Sequence, residues 1–211
     1  EAALRAGAGL VSIATHPSHS ALLASGRPEL MCYGVDSADD MARLAKRASV
    51  IAVGPGLGTN KWAREMYRAA MRAKRPLVVD ADALNLLAAE PGRMPDRIVT
   101  PHPGEAARLL NTTTAEIQRD RLAALDALHE RYGGTVVLKG AGTLVSADSG
   151  PPWLCSAGNP GMASPGMGDT LTGACVALAA QGLAPIDAAS VGIYLAGRAA
   201  ALAGLGPGLT P

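Results

Sequence analysis

The 211-residue chain is 48% hydrophobic, so it can bury a complete core without disulfides or a structural metal. Its formal net charge is only +1 and its aromatic content only 3%, which leaves no basic stripe or stacking surface and argues against nucleic acid as a partner. The three cysteines do not have the spacing of a metal or redox site, which predicts a reduced, cytoplasmic setting. No apolar run is long enough to span a bilayer, which predicts a protein without membrane contact.

Short aliphatic runs alternate with helical stretches along most of the chain. The predicted strands are 10–15, 50–53, 77–79, 97–100 and 136–139, and the predicted helices are 39–48, 61–73, 83–89 and 114–131. A hairpin of 143–146 and 153–155, a glycine-rich loop, and two small-residue helices at about 169–181 and 186–203 follow. This order predicts that residues 1–211 form a single α/β domain with a mainly parallel central sheet. The chain begins inside a helix and ends without a terminal element, which indicates that a few elements are lacking at one or both ends.

Glycines and carboxylates follow two of the predicted strands, at the strand ends where α/β proteins bind ligands. The segment Gly54–Gly58 has neither P-loop nor dinucleotide-binding spacing, so it is either a tight turn or a close backbone approach to a ligand. Asp82 is interpreted as a helix N-cap. Asp80 ends a buried strand and needs a hydrogen-bond partner or a cation, which predicts a ligand or magnesium-linked role for Asp80 or Asn85.

Two further strand ends carry residues that suit substrate and nucleotide contacts. Prolines on both sides hold His102 in an extended turn before a helix that starts near Gly104, which favours substrate contact over a purely structural role. Glu105 is either a first-turn helix charge or a second ligand group. Lys139 ends an apolar strand and opens the turn Gly140–Thr143, which predicts a nucleotide contact and not a surface lysine.

The strongest signal is a glycine-rich loop that runs directly into an apolar helix. The first-turn amides of this helix and its dipole predict an anion hole at Gly166, Met167 and Gly168. Asp169, at the helix entrance, is either a plain N-cap or the base that takes a proton from an attacking hydroxyl. The residues themselves therefore predict adenine-nucleotide binding and phosphoryl transfer to an alcohol.

Several motifs follow one another in a fixed order over nearly the whole chain. They are Gly7–Val11, Val53–Gly58, Val79–Asn85, Thr100–Glu105, Val137–Gly140, and Gly158–Ala163 leading into Gly166–Asp169. Together they resemble the motifs of the carbohydrate-kinase-like domain of the NAD(P)H-hydrate dehydratases. The resemblance implies a ribokinase-like three-layer α/β sandwich, in which helices flank the central sheet.

This resemblance implies a lyase that repairs nicotinamide nucleotides in the cytoplasm. In that reading the enzyme uses ADP, or alternatively ATP, with Mg²⁺, to phosphorylate the C6 hydroxyl of (6S)-NADHX or (6S)-NADPHX; phosphate elimination then restores NADH or NADPH. It also implies a homo-oligomer, and an epimerase partner or a fused epimerase domain outside this chain. The metal ligands stay unassigned.

The same resemblance assigns roles to individual residues. Asp169 is the catalytic base and also contacts the hydrate. The remaining substrate contacts are Ala3, Gly58 and His102. Asp80 and Asn85 are predicted as further contacts from their position after a buried strand. The nucleotide contacts are Lys139, Gly140, Ala141, Gly142, Thr143 and Gly168.

Two other functions use the same residues. The first alternative is a ribokinase-like small-molecule kinase that phosphorylates a vitamin-precursor alcohol, such as a hydroxymethylpyrimidine or hydroxyethylthiazole. The second is a nucleotide-binding sensor that has kept the pocket but lost turnover. The intact pairing of Asp169 with its glycine-rich loop argues against the sensor.

Overall fold

The computed structural model describes residues 1–148 and 150–203 as alternating helices and strands. In chain order the elements are α1 (Ala2–Arg5), β1 (Ser12–Thr15), α2 (Pro17–Gly26), β2 (Met31–Gly34), α3 (Ala38–Ala45), β3 (Ile51–Val53), α4 (Lys61–Arg72), β4 (Leu77–Val79), α5 (Asp82–Ala89), β5 (Arg97–Val99), α6 (Pro103–Leu110), α7 (Thr114–Arg119), α8 (Arg121–Tyr132), β6 (Thr135–Leu138), β7 (Thr143–Ser146), β8 (Trp153–Cys155), a 3₁₀ turn (Pro160–Met162), α9 (Met167–Ala180) and α10 (Pro185–Leu202).

The larger sheet follows chain order, β3-β4-β5-β6-β7-β8, and β1 pairs separately with β2. Strands β3 to β6 are parallel, whereas β7 and β8 form an antiparallel hairpin at one edge, as predicted. In register, Val53 lies opposite Val79, Val79 opposite Val99, and Val99 opposite Val136. The carboxyl ends of β3, β4 and β5 therefore align, so the loops that leave them meet at one edge of the sheet.

Alternate residues of the central strands enter two different cores, because successive side chains of a strand point to opposite faces. Val79 and Leu138 pack with the cluster that includes residues of α3 to α8, while Val78 and Val137 pack with α9 and α10. The three layers of helix, sheet and helix confirm the predicted α/β sandwich. Each fully buried aliphatic side chain contributes roughly 1.5–3 kcal/mol to this packing.

The prediction of one helix over 114–131 is wrong. Asp120 has a non-helical backbone, with φ of −144° and ψ of 88°, and separates α7 from α8. Its carboxylate accepts a hydrogen bond from the N–H of Ala123 at 2.9 Å. A side chain that caps the second helix in this way competes with continuation of the first.

The helix α2 and the strand β2 were missed by the sequence patterns. Within α2 no residue is buried and Leu22 is 75% exposed, so no apolar stripe of helical period marks it. Strand β2 has three half-buried residues and an exposed glycine, without a β-branched run. Across the described ranges, no helix has the length and apolarity that crossing a membrane requires.

Candidate active site

Asp80 lies at the centre of the aligned strand ends. It follows β4 directly and is only 1% exposed. Its Oδ1 accepts a hydrogen bond from Lys139 Nζ at 2.8 Å, and its Oδ2 accepts one from Thr172 Oγ1 at 2.7 Å. Burial alone would raise the pKa of Asp80, but the Lys139 ammonium and hydrogen bonds from Lys139, Thr172 and Thr100 outweigh it and hold this pKa below its usual value. The partner that a buried carboxylate requires is thus supplied by the chain itself.

Glu105 connects Lys139 to the predicted substrate histidine. Its Oε2 lies 3.8 Å from Lys139 Nζ and accepts a hydrogen bond from the N–H of His102 at 2.8 Å. His102 Nδ1 in turn accepts from the N–H of Gly104 at 3.0 Å, which completes a capping box at the start of α6. The cap fixes the ring, yet 51% of the His102 side chain is exposed and can meet a ligand. Glu105 is therefore a first-turn residue of α6, 9% exposed, that also faces the site.

The segment Gly54–Gly58 packs against the residues that follow β4. Gly54 has φ of +131°, and a Cβ there would overlap the carbonyl oxygen of Asp80. The N–H of Gly58 donates to Asp82 Oδ2 at 2.7 Å. The interpretation of Asp82 as an N-cap is therefore wrong: the N-cap of α5 is Ala81, and the Asp82 carboxylate holds the neighbouring loop instead.

The glycine-rich loop that ends at Gly166 leads into α9, whose N-terminus lies at the same edge of the sheet. Gly166, in the left-handed conformation with φ of +87°, is the N-cap of α9. Asp169 is therefore not the N-cap but the third residue of the helix. The N–H of Met167 donates to the carbonyl of Ser164 at 3.3 Å, whereas those of Gly168 and Asp169 have no acceptor within the described part of the chain. Two open donors at a helix N-terminus are suited to an anion.

Gly168 brings this helix terminus directly over the Lys139–Asp80 pair. A Cβ at Gly168 would lie 3.3 Å from Lys139 Nζ and 3.7 Å from Asp80 Oδ2. The absence of a side chain lets the backbone of α9 approach the ammonium closely. The positive end of the helix dipole and Lys139 therefore act on the same small volume.

Asp169 faces this volume with a free carboxylate. It is exposed, and its side chain makes no hydrogen bond or ion pair with any residue in the described ranges. Burial, and then the negative charge of Asp80, raise its pKa above the ordinary value, against the opposing effect of Lys139. A carboxylate with a raised pKa and no partner is suited to accept a proton.

The turn after β6 adopts conformations that favour glycine. Gly140 has φ of +143° and Gly142 has φ of +69°. The hydroxyl of Thr143 donates to the carbonyl of Gly140 at 3.0 Å and closes the turn. Lys139, the first predicted nucleotide residue, points its ammonium to Asp80 and so connects the turn to the site.

Two of the predicted substrate residues, Ala3 and Asn85, show no hydrogen bond to Asp80 or Lys139. Ala3 belongs to α1, which packs on α9; a Cβ at Gly173 would come within 2.9 Å of the Ala3 backbone nitrogen. Asn85 lies one turn into α5, and its side chain has no hydrogen bond in the ranges that the structure describes. The structure thus groups Asp80, His102, Lys139 and the start of α9, but shows no contact that ties Asn85 to them.

Two residues of this edge were missed by the sequence analysis. Thr172 follows Gly168 by four residues on α9, so helical spacing alone places both on one face and could have identified it. Arg121, at the start of α8, donates to the carbonyls of the 138–142 turn. No local pattern distinguishes Arg121 from an ordinary helical arginine.

A divalent cation held by the protein alone needs several ligand side chains close together. Among residues 1–148 and 150–203, no three His, Cys, Asp or Glu side chains are grouped closely enough to hold a metal. Magnesium usually binds to one or two carboxylates together with the phosphates of a nucleotide. The residues that the structure describes therefore do not supply three such ligands to one metal ion.

Comparisons with known proteins converge on one family. Residues 1–210 match the family described as NAD(P)H-hydrate dehydratase. The bifunctional NAD(P)H-hydrate repair enzyme of Escherichia coli is 48% identical over 200 residues, which cover 95% of this chain and 39% of that protein. The ADP-dependent (S)-NAD(P)H-hydrate dehydratase of Neisseria meningitidis is 42% identical over 186 residues, 83% of this chain and 61% of that one. The chain thus spans about two fifths of the length of its bifunctional relatives.

Solved structures agree with the fold. The ADP/ATP-dependent NAD(P)H-hydrate dehydratase of Bacillus subtilis, co-crystallised with ATP and Mg²⁺, superposes with a TM-score of 0.83 at 27% identity, over 100% of this chain and 76% of that one. A hydroxyethylthiazole kinase from Pyrococcus horikoshii has a TM-score of 0.64 at 15% identity, over 91% of this chain and 80% of that one. The second likeness shows the ribokinase-like fold alone.

Proposed function

Because the chain belongs to the NAD(P)H-hydrate dehydratase family, we propose that it catalyses the ADP-dependent dehydration of (6S)-NADHX and (6S)-NADPHX to NADH and NADPH. The observation that carries this proposal is the Asp169 carboxylate beside the amides of Gly168 and Asp169, none of which has a partner among the residues that the structure describes. A proton acceptor next to an anion site is what phosphoryl transfer to a hydroxyl requires.

In the first step the C6 hydroxyl of the hydrate attacks the terminal phosphorus of the nucleotide. Asp169 accepts the hydroxyl proton, the new C6–O–P linkage forms, and the bond to the leaving nucleotide breaks, so that ADP gives AMP. The N–H groups of Gly168 and Asp169 donate to the phosphoryl oxygens as negative charge gathers there. Lys139, 3.3 Å from the position of a Gly168 Cβ, adds a fixed positive charge below them.

In the second step the C6–O bond breaks and inorganic phosphate leaves with the bonding electrons. A proton is lost from the adjacent ring carbon, and the ring regains its double bond. Phosphorylation therefore serves to convert a poor leaving group, hydroxide, into a good one. The same helix terminus that bound the transferring group is placed to bind the departing phosphate.

The hydrate is proposed to lie over the carboxyl ends of the strands, between the exposed ring of His102 and the loop Gly54–Gly58. Ala3, Asp80 and Asn85 remain predicted substrate contacts. Of these, Asp80 is buried and committed to Lys139 and Thr172, which supports an indirect role in positioning over a direct contact. The nucleotide is proposed to lie against 139–143 and Gly168.

Magnesium is proposed to enter with the nucleotide phosphates, whose charge it neutralises when bound. The Bacillus subtilis relative that was co-crystallised with ATP and Mg²⁺ supports this use. Because the described side chains do not group into a site of three metal ligands, the nucleotide phosphates would supply ligands to the ion.

The test is to incubate the full chain with Mg²⁺, the hydrate and either ADP or ATP, and to follow recovery of the reduced-nicotinamide absorption band. We expect recovery with ADP, faster than with ATP, and release of one phosphate for each ring restored. No recovery with either nucleotide overturns the proposal. Nucleotide turnover on a hydroxymethylpyrimidine or hydroxyethylthiazole alone would instead indicate the small-molecule kinase, and ADP binding without turnover the sensor.

The setting of this activity is also part of the proposal. We propose a cytoplasmic homo-oligomer that works beside an epimerase, either a separate partner or a domain fused outside this chain. The bifunctional names of relatives that are 48% identical support the epimerase. Sedimentation of the purified chain tests the oligomer.

A further inference from the structure

Arg121 holds the turn between β6 and β7 through four main-chain carbonyls. Its Nη1 donates to the carbonyls of Ala141 at 2.6 Å and Gly142 at 3.0 Å. Its Nη2 donates to those of Leu138 at 3.1 Å and Lys139 at 3.4 Å. A guanidinium fork can bind several acceptors in one plane, which a lysine ammonium on a flexible stem cannot do with the same geometry.

These four bonds decide which way the peptide units of the turn face. In a planar trans peptide, the carbonyl and the N–H of the next residue point in opposite directions. The unit between Leu138 and Lys139 follows this rule: its carbonyl faces Arg121, while the Lys139 N–H donates to the carbonyl of Pro101 at 2.9 Å.

By the same rule, two N–H groups of the turn point away from Arg121. Because the carbonyls of Lys139 and Ala141 face Arg121, the N–H groups of Gly140 and Gly142 point away from it. Neither N–H has an acceptor within 1–148 and 150–203. Nearby N–H groups that point out of a turn form a concave anion-binding surface.

We infer that Arg121 is a positioning residue of the nucleotide site, which aligns the Gly140 and Gly142 amides to donate to the phosphate chain without touching the nucleotide itself. This inference rests on the proposed function, which puts the nucleotide against 139–143. A Cβ at Gly140 would come within 3.1 Å of Arg121 Nη2, so guanidinium and turn are already in contact and the alignment needs no rearrangement.

The first test replaces Arg121 by lysine, which keeps the charge but cannot engage four carbonyls. We expect the Kd for ADP, measured by calorimetry with Mg²⁺, to rise about tenfold, as for the loss of one or two hydrogen bonds. Circular dichroism checks that the variant is folded. The matched control is Arg119→Lys, an exposed arginine two residues earlier, which should bind ADP like the wild type.

Kinetics separate this role from a general structural one. Arg121→Lys should raise KM for ADP and leave KM for the hydrate unchanged, because His102 and the Gly58 loop are not touched. Wild-type affinity for ADP in the variant overturns the inference, as does an equal loss in Arg119→Lys. Wild-type protein that does not bind ADP overturns the proposed function, and this inference with it.

A second variant keeps the inference testable if Arg121→Lys does not fold. Gly142→Ala leaves Arg121 in place but disfavours the φ of +69° that directs the Gly142 amide outward. Among the described residues, the new Cβ meets only Leu154 Cδ1, at 3.7 Å. The Kd for ADP should again rise about tenfold. Unchanged affinity in this variant contradicts the alignment of the amides.

Discussion

At the scale of single residues, Asp169 has a free carboxylate where the proposed chemistry needs a base. We predict that Asp169→Asn lowers kcat by about 10³-fold, because the amide cannot accept the hydroxyl proton. The Kd for ADP should change little, since the backbone donors of α9 remain. Single-turnover kinetics and calorimetry measure the two effects. Asp187→Asn, in the first turn of α10, is the matched control and should keep full activity.

The raised pKa of Asp169 predicts how activity depends on pH. Its carboxylate is partly desolvated and lies near the charge of Asp80, so its pKa is above the ordinary 3.8. Only the ionised form is a base, so kcat/KM, which reports the pKa of the free enzyme, should fall as the pH falls through this raised value. A pH profile of kcat/KM checks this prediction, and an acid limb at or below the ordinary pKa of an aspartate would contradict it.

The same shift affects stability with a defined sign. The folded chain binds the Asp169 proton more tightly than the unfolded chain, so ionisation of this group lowers stability as the pH rises through the interval between the two pKa values. Asp169→Asn should therefore unfold at an equal or slightly higher temperature at neutral pH. Because the side chain is exposed, solvent screening limits the gain to less than about 1 kcal/mol.

At the scale of elements, the loop after β3 and the turn after β4 pack through a glycine. We predict that Gly54→Ala lowers the free energy of unfolding by about 3–5 kcal/mol, because a Cβ would overlap the Asp80 carbonyl oxygen and alanine disfavours φ of +131°. Gly56→Ala is the control in the same loop: its φ is +65°, but a Cβ there meets no atom within 4 Å in the part of the chain that the structure describes.

The two glycine variants separate crowding from backbone strain. Gly56→Ala should cost only about 1–2 kcal/mol, the cost of a left-handed alanine. Urea unfolding of both variants measures the difference. Equal costs would mean that the approach of Gly54 to Asp80 does not determine how this loop packs.

At the scale of the whole molecule, one polar network joins the sheet to both helical layers. Asp80 binds Lys139 from the end of β6 and Thr172 from α9, and Lys139 reaches Glu105 of α6. We predict that Asp80→Asn lowers stability by about 3 kcal/mol at neutral pH, because the Lys139 ammonium loses its buried partner. Denaturant unfolding measures this cost.

The pH dependence identifies the cause of that loss. The pKa of Asp80 is lowered in the folded chain, so its contribution is present above the ordinary pKa and disappears as the pH falls through the folded value. The difference in the free energy of unfolding between wild type and Asp80→Asn should therefore become smaller in strong acid. Removing both partners, in Asp80→Asn with Lys139→Met, should cost less than the sum of the single variants.

Much of the fold and part of the site follow from local rules that the sequence carries. Alternating strand and helix patterns predict the parallel sheet, because a right-handed crossover is the ordinary way to join such elements. The glycine-rich run before 169 predicts a helix that begins with open amides, since the first N–H groups of any helix lack partners. The need of Asp80 for a partner also follows from its position alone.

Only the tertiary structure decided which residues meet. Asp80 is bound by residues 59 and 92 positions later in the chain, and Asp82 by Gly58, 24 positions earlier. Helix α2 and strand β2, which bury little, have no periodic pattern that reveals them. Local propensity and hydrophobic period describe neighbours along the chain, whereas the partner of a buried charge and the contacts of Arg121 depend on how the layers pack.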